Sequence, residues 1–145
     1  MNDTVALASS SPPRWFWIAS GLGLSWNLLG VAAFIAQLGM DLGQLSAAER
    51  DYYENLPLWA LASFGLAVIS GSVACLALLL RKSWALPMLL LCLAGIVVQI
   101  FHSLVLANGL EVFGPEGLVL PVAVFLVALL LTWFARYAGK RGWIA

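Results

Sequence analysis

Four long apolar segments, separated by short polar connections, organise most of the chain. They cover residues 15–38, 57–80, 85–107 and 117–135, and none of them contains Asp, Glu, Lys or Arg. A transmembrane α-helix needs about 20 consecutive apolar residues to cross the hydrocarbon layer, so each segment predicts one span. The pattern therefore predicts an all-α membrane protein in which residues 15–138 form a four-transmembrane-helix bundle.

The polar connections add smaller elements to this bundle. Residues 1–14 predict a flexible leader and residues 139–145 a short tail. In the first connection, Ser46 and Glu49 have the S-x-x-E spacing of a capping box. They predict a short interfacial helix from about Ala47 to Glu54, with its tyrosines resting on the membrane surface. That helix either orients the second span or covers a ligand as a lid.

Composition and charge agree with a membrane location. Of the 145 residues, 63% are hydrophobic and 10% are charged, whereas about a quarter of the residues of a soluble protein are charged. Most basic residues lie before the first segment, between the second and third, and at or after the end of the fourth. The other two connections, after the first and third segments, are mainly acidic. By the positive-inside tendency, both termini are expected in the cytoplasm. The basic residues that mark this side are Arg14, Arg81, Lys82, Arg136, Lys140 and Arg141.

Polar and small residues recur on one face of two segments, at about 100° per residue of helix. On the third segment they are Cys92, Gly95, Gln99, His102 and Ser103, with Leu106 on the same stripe, and on the first they are Gly23, Asn27, Gly30 and Gln37, with Phe34 on the same stripe. Facing each other, the two stripes would line a polar cavity that opens to the outer side, with Asn27 as its floor. Trp26 stands out because the other six tryptophans lie near span ends. The candidate ligand-binding residues are Trp26, Asn27, Gln37, Gln99, His102 and Ser103.

A structural role is the alternative for the same side chains. Amides and hydroxyls can join transmembrane helices through hydrogen bonds of about 0.6 to 2 kcal/mol each. On the second segment, Ser63 and Ser70 share one face and belong to the same polar set. An ionisable group inside a membrane is a functional candidate by default. Among these residues, the functional interpretation is therefore strongest for His102.

The motifs of common enzymes are absent from the sequence. It has no nucleophile elbow, phosphate-binding loop or paired acid and base, and its single histidine belongs to no cluster with metal-ligand spacing. Cys75 and Cys92 both fall inside spans, where a structural disulfide is not expected. We expect no enzyme activity, no metal and no cofactor. A membrane enzyme acting on lipid or quinone would rest on His102 alone.

Several short motifs resemble a family of small four-span bacterial inner-membrane proteins that carry the label "sugar transporter". The resemblance runs from about Trp15 onward and implies a multi-pass protein of the bacterial inner (plasma) membrane. It carries over no functional residues. The motifs are WNLLG from Trp26, YENLPLW from Tyr53, LLLRKSWALP from Leu78, FGPEG from Phe113 and RGW from Arg141.

Two hypotheses for the function follow. The first is that the protein binds or transports a small neutral, sugar-like solute, and that it does so as an oligomer because one four-helix chain is barely enough to enclose a pathway. The second is a non-catalytic accessory or assembly subunit, which would dock on a larger membrane complex through its fourth span and acidic outer loop. The expected partners are the lipid bilayer and either further copies of the chain or such a complex. No long basic tract indicates nucleic acid.

Overall fold

The computed structural model describes residues 10–145, so most of the predicted leader, residues 1–14, lies outside the described part of the chain. This part is mainly helical and contains no strand. Its α-helices are α1 Arg14–Leu38, α2 Ala47–Glu54, α3 Leu58–Leu79, α4 Ala85–Phe101, α5 Gly109–Phe113 and α6 Val119–Lys140. Turns of 3-10 helix at Leu42–Gln44 and Pro115–Leu118 precede α2 and α6, and one π-helical turn, His102–Leu106, extends α4.

Four of these helical segments are long and apolar enough to cross a membrane: α1, α3, α4 with its π turn, and α6 with the turn before it. The predicted all-α fold, with four helices long and apolar enough to span a membrane, is therefore confirmed. We call the end of the bundle that holds residues 10–14 and 141–145 the terminal end, and the end that holds α2 and α5 the loop end. That the terminal end faces the cytoplasm stays a prediction, as does the position of α2 at the membrane interface.

Helix α3 is the centre of the bundle. Of its most apolar stretch, 61% is buried, against 17% for α1 and 28% each for α4 and α6. Helices α1 and α4 pack on α3, and α6 packs on α4. The stripe predicted on the first span faces α3 and not the third span, because α3 lies between them.

Small residues set the distance between α1 and α3. The two helices run antiparallel, and about once per turn a glycine on one of them meets a side chain of the other. A Cβ atom added at Gly71 would overlap Asn27 Oδ1, and one added at Gly65 would lie 2.8 Å from Phe34 Cζ. Small residues of this kind let transmembrane helices approach closely. The facing pairs are Gly23 with Cys75, Asn27 with Gly71, Gly30 with Val68, and Phe34 with Gly65.

Helix α4 approaches α3 in the same way through Gly95. A Cβ atom at this position would lie 2.8 Å from the carbonyl oxygen of Ser63 and 3.1 Å from Ala67 Cβ. The first of these atoms belongs to the backbone of α3 and cannot rotate away. Gly95 belongs to the stripe predicted on the third span, so part of that stripe serves helix packing.

Aromatic side chains close the terminal end. Phe16 is fully buried, and its ring centroid lies 5.5 Å from that of Phe134 and 5.9 Å from that of Trp143. The segment predicted as a tail folds back onto this cluster, since α6 continues to Lys140 and Trp143 is buried. Arg81, in the turn between α3 and α4, donates from Nε to the carbonyl oxygen of Trp143 at 2.7 Å. These contacts join α1, α6 and the turn between α3 and α4 at the terminal end.

We predict that Gly95→Ala lowers the stability of the bundle by about 1–3 kcal/mol, the usual cost of overpacking a well-packed interior. The added methyl group would press on the α3 backbone. Gly21→Ala is the matched control, because a Cβ at Gly21 meets no atom within 4 Å and alanine favours a helix over glycine. Thermal unfolding in detergent, followed by circular dichroism, should show a lower midpoint for Gly95→Ala alone. Equal midpoints for the two variants would contradict the packing described here.

Candidate functional site

A cavity of about 390 Å³ lies in the loop half of the bundle, between α1, α3, α4 and α6. This volume is within the range of small-molecule sites, about 300–1,000 Å³. Most of its wall is aliphatic or aromatic, and none of the described residues that line it is charged. The lining side chains that can form hydrogen bonds are Trp26, Asn27, Tyr52, Gln99 and Ser103, together with the thiol of Cys92.

Asn27 lies where α1 crosses Gly71, at the level where the cavity begins. Its side chain is 8% exposed. The amide nitrogen donates to the carbonyl oxygen of Gly23 at 2.8 Å and contacts Cys75 Sγ at 3.7 Å. The structure forms no hydrogen bond to Oδ1 from any described residue. The amide is thus held in one orientation, with Oδ1 against Gly71 of α3, and the residue forms the floor of the cavity beside Trp26.

The polar stripe of α4 divides into two edges. Gln99 and Ser103 lie on the edge that lines the cavity, whereas Gly95 and His102 lie on the edge that faces α3. His102 is 5% exposed, and its ring centroid lies 5.2 Å from that of Trp59, edge to face. Successive residues of a helix point about 100° apart, so neighbours such as His102 and Ser103 serve different surfaces. The structure therefore places His102 between helices and not among the lining residues.

Two further expectations about the lining are also not met. Gln37 is half-buried near the end of α1 and does not line the cavity. The hydroxyls of Ser63 and Ser70 donate to carbonyl oxygens of their own helix at 2.7 Å and 2.6 Å, as serine often does inside membrane helices. Of the predicted site residues, the structure brings together Trp26, Asn27, Gln99 and Ser103.

The loop end of the cavity is covered by α2 and α5, which form an aromatic cap. Tyr52 on α2 stacks edge to face on Phe113 of α5, with 5.0 Å between ring centroids, and its hydroxyl lies 3.2 Å from Ser103 Oγ in a hydrogen bond. The tyrosine that the sequence placed on the membrane surface therefore turns inward and lines the cavity. Tyr53 contacts both rings from the side, at 5.2 Å from Tyr52 and 6.2 Å from Phe113.

Helix α5 and its role in this cap were missed from the sequence. The chain turns sharply at Asn108, which has φ 48° and ψ 38° in the left-handed region. Gly109 then lies so close to Ser103 that a Cβ atom would be 2.6 Å from its hydroxyl oxygen. The Asn-Gly pair is a known turn signal, so this reversal of the chain could have been read from it.

Helix α2 has the predicted bounds and the predicted cap. The backbone N–H of Ser46 donates to Glu49 Oε2 at 3.1 Å, and the N–H of Glu49 donates to Ser46 Oγ at 3.3 Å. This capping box fixes the first turn of the helix. It thereby orients the later turn that carries Tyr52 toward Ser103.

Together, the fold and the cavity define a multi-pass membrane protein with an uncharged internal cavity. No family model, curated protein or solved structure matches the chain. The side chains of the site can donate and accept hydrogen bonds at neutral pH without changing their charge.

We predict that α2 weakens in acid through Glu49. The pKa of its carboxyl is below the usual value of 4.5, because the hydroxyl and the backbone N–H of Ser46 both donate to it. A carboxyl whose pKa is lowered in the folded state stabilises the helix at pH values above its unfolded-state pKa. This contribution is lost as the pH falls through the lowered folded-state pKa. Hydrogen exchange of the α2 amides, corrected for intrinsic rates, should show protection falling below about pH 4.5. The Ser46→Ala variant should start with less protection and respond less to pH. An equal pH response in both proteins would contradict the role of this pair.

Proposed function

We propose that this protein binds one small, uncharged molecule within its membrane domain, in the cavity between α1, α3, α4 and α6. The observation that carries the proposal is the convergence of Asn27, Gln99, Ser103 and Tyr52 on one otherwise apolar cavity. Three different helices supply these side chains, with Ser103 in the π turn that continues one of them. Convergent polar groups in a largely apolar cavity are the usual form of a small-molecule site.

The lining of the cavity disfavours the binding of a charged ligand. A buried ion without a partner of opposite charge is strongly disfavoured, and the described lining residues provide no such partner. Amides and hydroxyls instead match alcohol, carbonyl, ether or amide groups of a neutral ligand. A sugar-like solute, the ligand class of our first hypothesis, belongs to this neutral class.

Binding does not require the oligomer that we expected for a transport pathway, because a single chain forms the cavity. Transport would need a further change, since the aromatic cluster of Phe16, Phe134 and Trp143 fills the terminal half of the bundle. We therefore propose binding as the core function. Movement of the ligand across the bilayer by an oligomer is a further step, which uptake by proteoliposomes would test.

We predict that neutral probes bind and that their charged analogues do not. Glucose with gluconate, and 1-octanol with octanoate, are suitable pairs for saturation-transfer NMR on the protein in nanodiscs. At least one neutral probe should bind saturably, and its charged analogue should bind at least about tenfold more weakly, since each 1.4 kcal/mol corresponds to a factor of ten. Equal binding of both members of each pair, or no saturable binding at all, would refute the proposal.

Gln99→Leu tests the site itself. It should weaken the bound probe by about 2- to 10-fold, the loss of one hydrogen bond worth about 0.5–1.5 kcal/mol. Gln37→Leu makes the same chemical change at a position that does not line the cavity and should leave binding unchanged. If both variants weaken binding equally, the probe is held elsewhere or the effect is indirect.

A further inference from the structure

We propose that the ligand is an amphiphile with a mainly hydrocarbon body and one uncharged hydrogen-bonding head group, and that it reaches the cavity from the bilayer between α1 and α6. This inference rests on the proposed function, because it specifies the ligand of the same cavity. It differs from the sugar-like solute in both the chemistry of the ligand and its route.

The first support is an opening in the side of the bundle. Helices α1 and α6 contact each other in the terminal half, where a Cβ atom at Gly23 would lie 2.8 Å from Leu131 Cδ2. In the loop half, Leu29 on α1 and Leu120 on α6 both line the cavity, yet they are 67% and 65% exposed. A side chain that lines an internal cavity and is also this exposed lies at its rim. Since α1 and α6 are both spans, that rim faces lipid.

The second support is the cover at the loop end. Tyr52, bonded to Ser103 and stacked on Phe113, lies over the end of the cavity that is nearest to water. Gly109 closes the same end by direct contact with Ser103. These side chains cover part of the aqueous side of the cavity. Leu110, which lines the cavity at the same end, is 47% exposed, less than the two leucines that border the way from the lipid.

The third support is the shortage of polar partners. A hexose has several hydroxyl groups, and each one that is buried without a partner costs free energy. Most of the lining side chains are apolar, such as those of Ile96, Ile100 and Val124, and cannot form hydrogen bonds. The few side chains that can, mainly those of Gln99, Ser103 and Asn27, are enough for one head group. A hydrocarbon body matches the remainder.

The shape of the cavity agrees with such a ligand. Its lining on the α4 segment and its π turn runs from Cys92 to Leu104, which is about 18 Å at 1.5 Å per residue. A ligand that leaves lipid gains little from burying hydrocarbon, because lipid is equally apolar. The head group therefore has to supply the selectivity, through hydrogen bonds that the bilayer interior does not offer.

A photoreactive diazirine analogue of 1-octanol, added to the protein in nanodiscs, tests the ligand class. We expect saturable labelling of peptides from α1 around Leu29 and from α6 around Leu120. Unlabelled 1-octanol should compete, whereas octane at the same mole fraction in the membrane and glucose in the buffer should compete at least about tenfold more weakly. Gln99→Leu should reduce the difference between octanol and octane.

The route is tested by Leu29→Trp, which places a large ring at the rim and should slow labelling at least about threefold. Leu22→Trp is the matched control, since Leu22 is also 67% exposed, lies seven residues earlier on the same face of α1 and does not line the cavity. Leu29→Ala should speed labelling, which guards against a loss caused only by misfolding. The thermal midpoint of each variant reports its folding.

The outcomes separate this inference from the proposed function. If glucose competes and 1-octanol does not, the amphiphile is refuted while neutral-solute binding stands. If Leu29→Trp and Leu22→Trp label at equal rates, access between α1 and α6 is refuted. If no probe labels saturably and none binds by NMR, both proposals fail.

Discussion

The absence of a side chain at Gly71 is the constraint on which the rest of the bundle depends. A Cβ atom there would overlap Asn27 Oδ1 from α1 and lie 3.1 Å from Cys92 Sγ of α4. Both neighbouring helices therefore reach α3 at the same height. Above this point, toward the loop end, the bundle contains the cavity. Below it, Leu131 of α6 contacts Gly23 of α1, and the bundle is filled.

The two halves of the bundle differ because different residues hold them together. The terminal half is joined by large aromatic rings and by the returning residues Trp143 and Ile144, both of which are buried. The loop half has no such filling and is covered by the aromatic cap, in which Tyr52, Phe113 and Ser103 meet. Helix α2 of the cap makes few contacts with the spanning helices, and segments with few buried contacts open locally at low cost. The side chains of the proposed site lie between this cap and the floor at Asn27.

Much of the architecture was predictable from local patterns. The apolar segments predicted the four long helices. The length of an apolar run can be counted directly along the sequence and compared with the length needed to cross hydrocarbon. The capping box predicted α2 with its observed bounds, since its hydrogen bonds join residues only three apart. The candidate site was predicted in part. Asn27 and Gln99 converge as expected, but His102 packs on Trp59 and Gln37 lies outside the cavity.

The sequence by itself determined the four long apolar helices and α2, and which face of α1 and α4 is polar or small. Only the tertiary structure decided which neighbour each face meets. The stripe on α4 is about 100° wide, so its two edges face different neighbours. Gly95 and His102 contact α3, whereas Gln99 and Ser103 line the cavity. Periodicity along one helix contains no information about the position of its partners. For the same reason, Tyr52 and Phe113 became part of the site only when the two loops met across the end of the bundle.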